Sequence, residues 1–176
     1  MKLSIIIKAL RDFCPTFERR VYGLGQYANL PDIGRLDLPA AYVLPAEDEV
    51  GEQRSQNDYR QRLKENFYVA VVVENKDYIG QPEFDEFHHV RSEVWKALLG
   101  WQPEPYYGGI TYAGFEEANS TLEECHYLLK FSVETEISPE DTRQAIELSK
   151  LPPLNTIKIK SELQETQICL TNDYGS

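Results

Sequence analysis

The chain has 176 residues, 41% hydrophobic and 27% charged, enough for one domain with a buried core and an extension. A formal charge of −11 argues against a positive nucleic-acid groove, because phosphate binding needs clustered Lys and Arg. No run approaches the roughly 20 apolar residues of a membrane span, and three cysteines without paired spacing fit a reduced cytoplasmic setting better than a disulfide framework.

The opening run Met1–Ile7 briefly resembles a signal peptide. Lys8, Arg11 and Asp12 interrupt it and no small-residue cleavage site follows, so a soluble intracellular product is expected. Residues 3–14 read as a helix, with Leu3, Ile6, Ile7, Leu10 and Phe13 on one side and Pro15 after the last turn. The segment Gly23–Ala28 formally matches the dinucleotide fingerprint G-x-G-x-x-A. Pro31 and Gly34 break any following helix and no βαβ unit surrounds it, so the reading is a short strand or turn.

Residues 39–45 read as a short strand bracketed by Pro39 and Pro45, which places it at a sheet edge or makes the prolines strand ends. The polar, acidic stretch 46–58 has no periodicity and is expected to be a long, exposed, mobile loop at the end of a β-hairpin. Tyr59 to Lys64 lead into the central strand, 67–74, where Phe67, Val69, Val71 and Val73 alternate with Tyr68, Ala70 and Val72, so both faces look buried. A helix follows over 83–99. Phe84, Phe87, Val90, Val94, Ala97, Leu98 and Trp101 recur at helical spacing, and Asp85, Glu86, Arg91, Glu93 and Lys96 take the other side. Pro82 near its first position and Gly100 past its end are start and stop signals.

Two more strand-like runs cover 106–115 and 122–135. Gly108 and Gly109 permit a bulge or a close backbone approach in the first. In the second, Cys125, Tyr127, Leu129, Phe131 and Val133 form an apolar face, while His126, Lys130, Ser132 and Glu134 mostly face water. Beyond Thr135, Ser138 caps a short helix running to about Lys150, and strand-like pieces cover 156–160 and 162–170. The expected architecture is α+β: an antiparallel or mixed sheet packed on one or two helices, with a projecting hairpin loop. Residues 1–136 form the main domain and 137–176 a C-terminal extension packed on it or on a neighbouring subunit.

The search for chemistry returns little. His89 and Glu93 lie one helical turn apart, so with His126 a three-ligand metal site is conceivable. Arg91 and Lys96 share that side and the spacing fits no zinc pattern, so His88, His89 and His126 read as solvated surface histidines and no metal or cofactor is assigned. Cys125 and His126 are strand neighbours on opposite faces, not a nucleophile–base pair. Glu116, Glu117, Glu123, Glu124, Glu134 and Glu136 are abundant without forming a specific pair. There is no P-loop, G-x-S-x-G or H-E-x-x-H, so no catalytic residue is assigned. The 11 tyrosines are the notable enrichment, and Tyr59, Tyr106, Tyr107 and Tyr112 fall where strands meet loops. Tyrosine suits protein contacts, and equally suits the flanks of a core.

Several stretches in this order resemble the bacteriophage tail terminator, or tail-completion, proteins of long-tailed phages. They are Pro39-Ala40-Ala41-Tyr42-Val43-Leu44-Pro45, the strand 67–75 after a polar loop, and the helix ending Val94-Trp95-Lys96-Ala97-Leu98-Leu99-Gly100-Trp101-Gln102-Pro103. Tyr112-Ala113-Gly114-Phe115 and the long strand to Thr135 complete the likeness, which covers roughly residues 1–136. The resemblance implies a non-enzymatic structural virion protein. Its subunits would form a ring, a hexamer, that caps the tail tube, stops its polymerisation and presents a surface to the head and neck. The implied partners are its own copies, tail tube protein, head–tail connector or neck proteins, and sheath protein in a contractile tail. Genomic DNA would pass through the lumen unbound, with walls of an acidic subunit repelling it. The protein would be assembled in the host cytoplasm and reside in the virion. Glu47, Asp48, Glu49, Arg54, Tyr59, Arg60, Arg62, Tyr106 and Tyr107 are the candidate contact residues. Another neck adaptor ring is the nearest alternative, and a carboxylate- and histidine-dependent nuclease or hydrolase the distant one.

Overall fold

A fourteen-residue strand, β4 (Gln61–Glu74), pairs antiparallel along its whole length with the equally long β6 (Glu124–Ile137), from Gln61 opposite Ile137 to Glu74 opposite Glu124. The computed structural model describes residues 1–29, 37–54, 58–75, 82–121, 123–152, 156–160 and 165–169, without the side chains of 82–84, 119–120, 156–160 and 165–169. The chain divides into two compact units, Met1–Ile137 and Ser138–Ser176.

In the first unit the other elements are α1 (Leu3–Phe13), β1 (Val21–Gly23), α2 (Leu24–Ala28), β2 (Ala40–Pro45), β3 (Glu49–Gln53), α3 (Pro82–Leu98) and β5 (Thr111–Ser120). The sheet runs β1-β2-β4-β6-β5, and β3 pairs with β4 beyond the end of β2. Among the described residues of this sheet only the β1–β2 pair is parallel. The fold is therefore α+β with a mixed, mostly antiparallel sheet.

Two-sided burial makes β4 the centre. Phe67, Val69, Val71 and Val73 join Leu129, Phe131 and Val133 of β6 under a core completed by Ile6 and Leu10 of α1 and Phe87, Val90, Val94 and Leu98 of α3. Ala70 and Val72 turn the other way, into a smaller cluster with Ala40, Tyr42 and Leu44. Each fully buried Phe, Leu or Val contributes about 1.5–3 kcal/mol. A register slip of one residue would exchange the two faces of β4, so the burial pattern itself fixes the pairing.

The helices follow their apolar stripes, with two corrections. Phe13 is 68% exposed, and buried Cys14 and Phe17 carry the stripe of α1 onward through a 3-10 turn at Pro15–Phe17. In α3 the expected stripe is buried from Phe87 on, while the Phe84 side chain lies outside the described residues. Arg91, expected on the solvent side, is half-buried, its guanidinium 5.3 Å from the Phe87 ring, 4.9 Å from Trp95 and 5.3 Å from Phe115. These cation–π contacts tie the helix to β5.

Three sheet expectations also change, and one open alternative closes. β2 lies inside the sheet, between β1 and β4, so its bracketing prolines mark strand ends, not a sheet edge. The stretch expected to be a mobile loop contains β3, hydrogen-bonded to β4 with Glu49 opposite Lys64, although all five of its residues are exposed; 55–57 lie outside the described residues. The strand expected over 106–115 begins at Thr111 and continues to Ser120. His126 (6% exposed) and Ser132 (2%) are buried instead of facing water. Each is satisfied there: His126 lies 3.3 Å from the Tyr27 hydroxyl and 3.1 Å from Glu124, and Ser132 Oγ lies 2.9 Å from Thr111 Oγ1. Sequence alternation shows a face, but not what covers it.

In the second unit, Ser138 caps a 3-10 turn, Pro139–Asp141, with its N–H donating to Asp141 Oδ2 at 2.9 Å. A separate helix α4 (Arg143–Leu148) starts from Thr142, whose Oγ1 accepts from the Ala145 N–H, in place of one helix from Ser138. The strands β7 (Thr156–Lys160) and β8 (Glu165–Cys169) form an antiparallel pair.

The turn after α3 depends on two glycines. Gly100 reverses the chain at φ +74° and donates to the Ile110 carbonyl at 2.9 Å, while Ile110 donates back to Trp101 at 3.0 Å. A Cβ on Gly109 would lie 3.0 Å from the Gly100 carbonyl oxygen, whereas one on Gly108 meets nothing nearer than 3.6 Å. Gly109→Ala should therefore destabilise the fold by about 1–3 kcal/mol in denaturant titration, with Gly108→Ala as the milder control; equal, negligible losses would contradict the close approach.

Cys14 yields a second test. Burial, reinforced by the Glu93 carboxylate, pushes its thiol up from 9.0 to about 12. The folded chain holds this proton more tightly than the unfolded chain. The resulting stabilisation is complete below about pH 9 and is lost as the pH rises toward 12. Iodoacetamide at pH 9 should leave Cys14 unlabelled until the chain is unfolded, and rapid labelling of the native protein would contradict its burial.

Candidate interaction surface

The residues considered for chemistry do not converge. His89 Nε2 lies 3.4 Å from Glu93, but Glu93 also accepts from the Thr16 hydroxyl at 2.8 Å. His88 Nδ1 lies 2.7 Å from Arg91. His126 belongs to the opposite face of the sheet, where Tyr27 lies against it. Among the described residues no three His, Cys, Asp or Glu side chains are grouped to hold a metal ion. The G-x-G-x-x-A segment does join a strand to a helix, a junction that periodicity did not place. The helix α2 has only five residues, and the Gly23 N–H there is already taken by Gln26 Oε1 at 3.4 Å.

The contact candidates, by contrast, gather at one end of the sheet. There the first half of β4 lies between β3 and the last residues of β6, making a three-stranded arm. Lys64 Nζ reaches both carboxylate oxygens of Glu49 at 3.2 Å. Asn66, 5% exposed, roots the arm: its Nδ2 donates to the Glu47 carbonyl at 2.8 Å and to Glu49 at 3.2 Å, and its backbone N–H donates to Asp48 at 3.4 Å. Those acceptors fix which way the amide points. Arg60 pairs with Asp58 and with Glu136 of β6, both at 3.0 Å, which raises the guanidinium pKa. The hydrogen bonds from Lys64 and Asn66 hold the Glu49 carboxyl below its ordinary value.

Tyr59 donates to Gln61 at 2.6 Å, and the backbone N–H of Arg54 to the Arg60 carbonyl at 2.9 Å. The Arg54 and Arg62 side chains are exposed. On the other face of β4, Glu65 accepts from the Tyr107 hydroxyl at 2.7 Å and from the amino group of Met1. Burial, then that hydrogen bond, raises the Tyr107 pKa. Tyr106 beside it is 87% exposed, and its carbonyl accepts from Thr135 at 3.0 Å.

The structure thus brings Glu47, Asp48, Glu49, Tyr59 and Arg60 together on the arm, with Arg54 and Arg62 there too and Tyr106 and Tyr107 at its base. Sequence reasoning missed Lys64, Glu65, Asn66 and Glu136, which hold those residues in place. The cross-strand pairing that opposes Arg62 to Glu136 and Lys64 to Glu134 was the available signal, and it needs the register.

A family model described as "Phage tail terminator protein" matches residues 1–142. No curated protein matches the chain. A chain of a solved structure entitled "Virion of native gene transfer agent (GTA) particle" is similar at 12% identity and TM-score 0.48, covering 75% of this chain and 92% of that one. The match over 1–142 takes in the whole first unit, the sheet, both long helices and the arm, so the chain belongs to the phage tail terminator protein family.

Proposed function

We propose that the chain works as a structural ring subunit, six copies closing on the end of the tail tube. The ring stops tube polymerisation and presents its far side to the connector or neck proteins of the head. In a contractile tail, sheath protein binds it as well. The family match over residues 1–142 carries this reading.

Geometry supports it in two ways. A closed ring uses a heterologous interface, so each subunit must offer two different surfaces. The sheet has dissimilar ends available: the charged arm around β3 on one side and the strand β5 on the other. The arm's residues Glu47, Asp48, Glu49, Arg54, Tyr59, Arg60 and Arg62, with Tyr106 and Tyr107, make one of the contacts. Their mixed charges set partner register more than raw affinity. The formal charge of −11 suits a lumen through which DNA slides without binding, and a basic lumen in the assembled ring would remove that point.

The decisive experiment deletes the gene and examines virions by electron microscopy. Overlong tails and unjoined heads are expected; tails of normal length joined to heads would end the proposal. With purified protein, native mass spectrometry should show six-subunit particles. The double variant Arg60→Glu, Arg62→Glu should lower the assembled fraction. Circular dichroism of the double variant should still report the wild-type fold, so that lost assembly reads as a lost contact and not as unfolding.

A further inference from the structure

Two strands of the sheet have an open edge. β3 pairs with β4 on one side and β5 pairs with β6 on the other, and among the described residues no strand pairs with the far edge of either. An open edge recruits a further strand unless something blocks it. Neither β3 nor β5 holds a proline, and between its two bulges β5 pairs regularly with β6 over Gly114–Glu117.

Each edge also carries an unsatisfied charge, and the two are opposite in sign. On the arm, Arg62 is exposed and has no ion-pair partner among the described residues. Glu136, opposite it in register, is taken by Arg60 at 3.0 Å, and Glu49 by Lys64 at 3.2 Å. Gly51 of β3 lies beside Arg62, so close that an added Cβ would come within 3.3 Å of Arg62 Cβ. Without a side chain there, Arg62 is left uncovered on that side, and a groove opens, lined by Gly51, Arg62, Lys64 and Glu134. On β5, Glu116 is exposed and likewise has no ion-pair partner among the described residues.

The faces of the sheet match as well. Arg62 lies on the face that carries Ala70 and Val72, and Glu116, opposite Leu128, lies on the same one. Val50, opposite Leu63, shares the other face with Phe115, opposite Leu129; the two are 59% and 41% exposed. β3 and β5 run in opposite directions, with two strands between them. Copies in a closed ring all stand the same way up, so β3 of one copy meets β5 of the next antiparallel, with both faces continuous.

We infer that β3 of one copy adds to the outer edge of β5 in the next copy, with Gly51 opposite Glu116 so that this carboxylate reaches Arg62. Val50 then lies diagonal to Phe115 on the other face, within reach of an aromatic ring. Main-chain hydrogen bonds supply the contact, and the charge pair fixes its register. β3 lies beside Gln61–Lys64, whereas Gly114–Glu117 lies beside Tyr127–Lys130, further along the sheet. Strands joined this way tilt around the ring, as the strands of any closed sheet do. The inference names the surface that the arm meets, and it rests on the ring reading.

Charge exchange in the full chain tests it. Arg62→Glu and Glu116→Arg should each raise the concentration for half-assembly, free or on tail tube, about tenfold at low salt, and the two combined should return it to within about threefold of wild type. Light scattering reads the assembly, and circular dichroism should report the wild-type fold in each variant. In a Cys169→Ser chain, Val50→Cys with Glu117→Cys, directly opposite across the contact, should oxidise to a ladder of covalent multimers on a denaturing gel. Either new cysteine alone should give dimers at most. Unchanged assembly in both single reversals, no recovery on combination, or no product beyond a dimer would each overturn the edge pairing, and six-subunit wild-type particles would then leave the ring reading standing. A wild-type chain that stays monomeric on the tube as well as free would overturn the ring reading itself.

Discussion

The fourteen-residue pairing of β4 with β6 is the contact on which everything else in the first unit depends. It holds the centre of both hydrophobic clusters, since β4 contributes alternate residues to each face. It also sets the arm, because Gln61–Glu65 and Val133–Ile137 are continuations of the same two strands. Core and arm therefore share one register. A sequence that satisfies the core at Phe67 and Phe131, stacked 5.5 Å apart, has already fixed Lys64 opposite Glu134 and Arg62 opposite Glu136. The arm's charge pattern is a consequence of packing some 10 Å away or more, at about 3.3 Å per strand residue.

Polar groups within this frame are handled locally. His126 finds Tyr27 and Glu124, Ser132 finds Thr111, and Asn66 ties the strand to the chain just before β3. None of these sets has the convergent geometry of a catalytic or metal centre, and each belongs to a seam between elements. Buried polarity placed in this way specifies which strand lies beside which.

Much of this fold can be read from the residues because two-state patterns in sequence map onto two-sided burial in space. The alternation in 67–74 and 125–133 and the stripe in α3 describe the core that forms. The misreadings share a cause. The stretch Glu49–Gln53 has no apolar alternation because both its faces are exposed, so only its ladder to β4 makes it a strand. Tyr106 and Tyr107 read as strand from β-propensity, but the Gly100–Ile110 bridge closes that segment into a turn first. His126 read as exposed because strand alternation cannot report α2, which brings Tyr27 over the second face. The stretches that hold the candidate contact residues were visible in the sequence; their gathering on one arm, and Glu65, Asn66 and Glu136 that position them, needed the register.

Continuity of the strands has a mechanical meaning. The arm is no loop hung from the domain, since its backbone is that of the two central strands. A pull applied at the tip runs along the peptide chain into the middle of the sheet, and there it meets a ladder loaded in shear, with its hydrogen bonds resisting together instead of opening one by one. A joint built this way transmits tension without needing a stiff hinge.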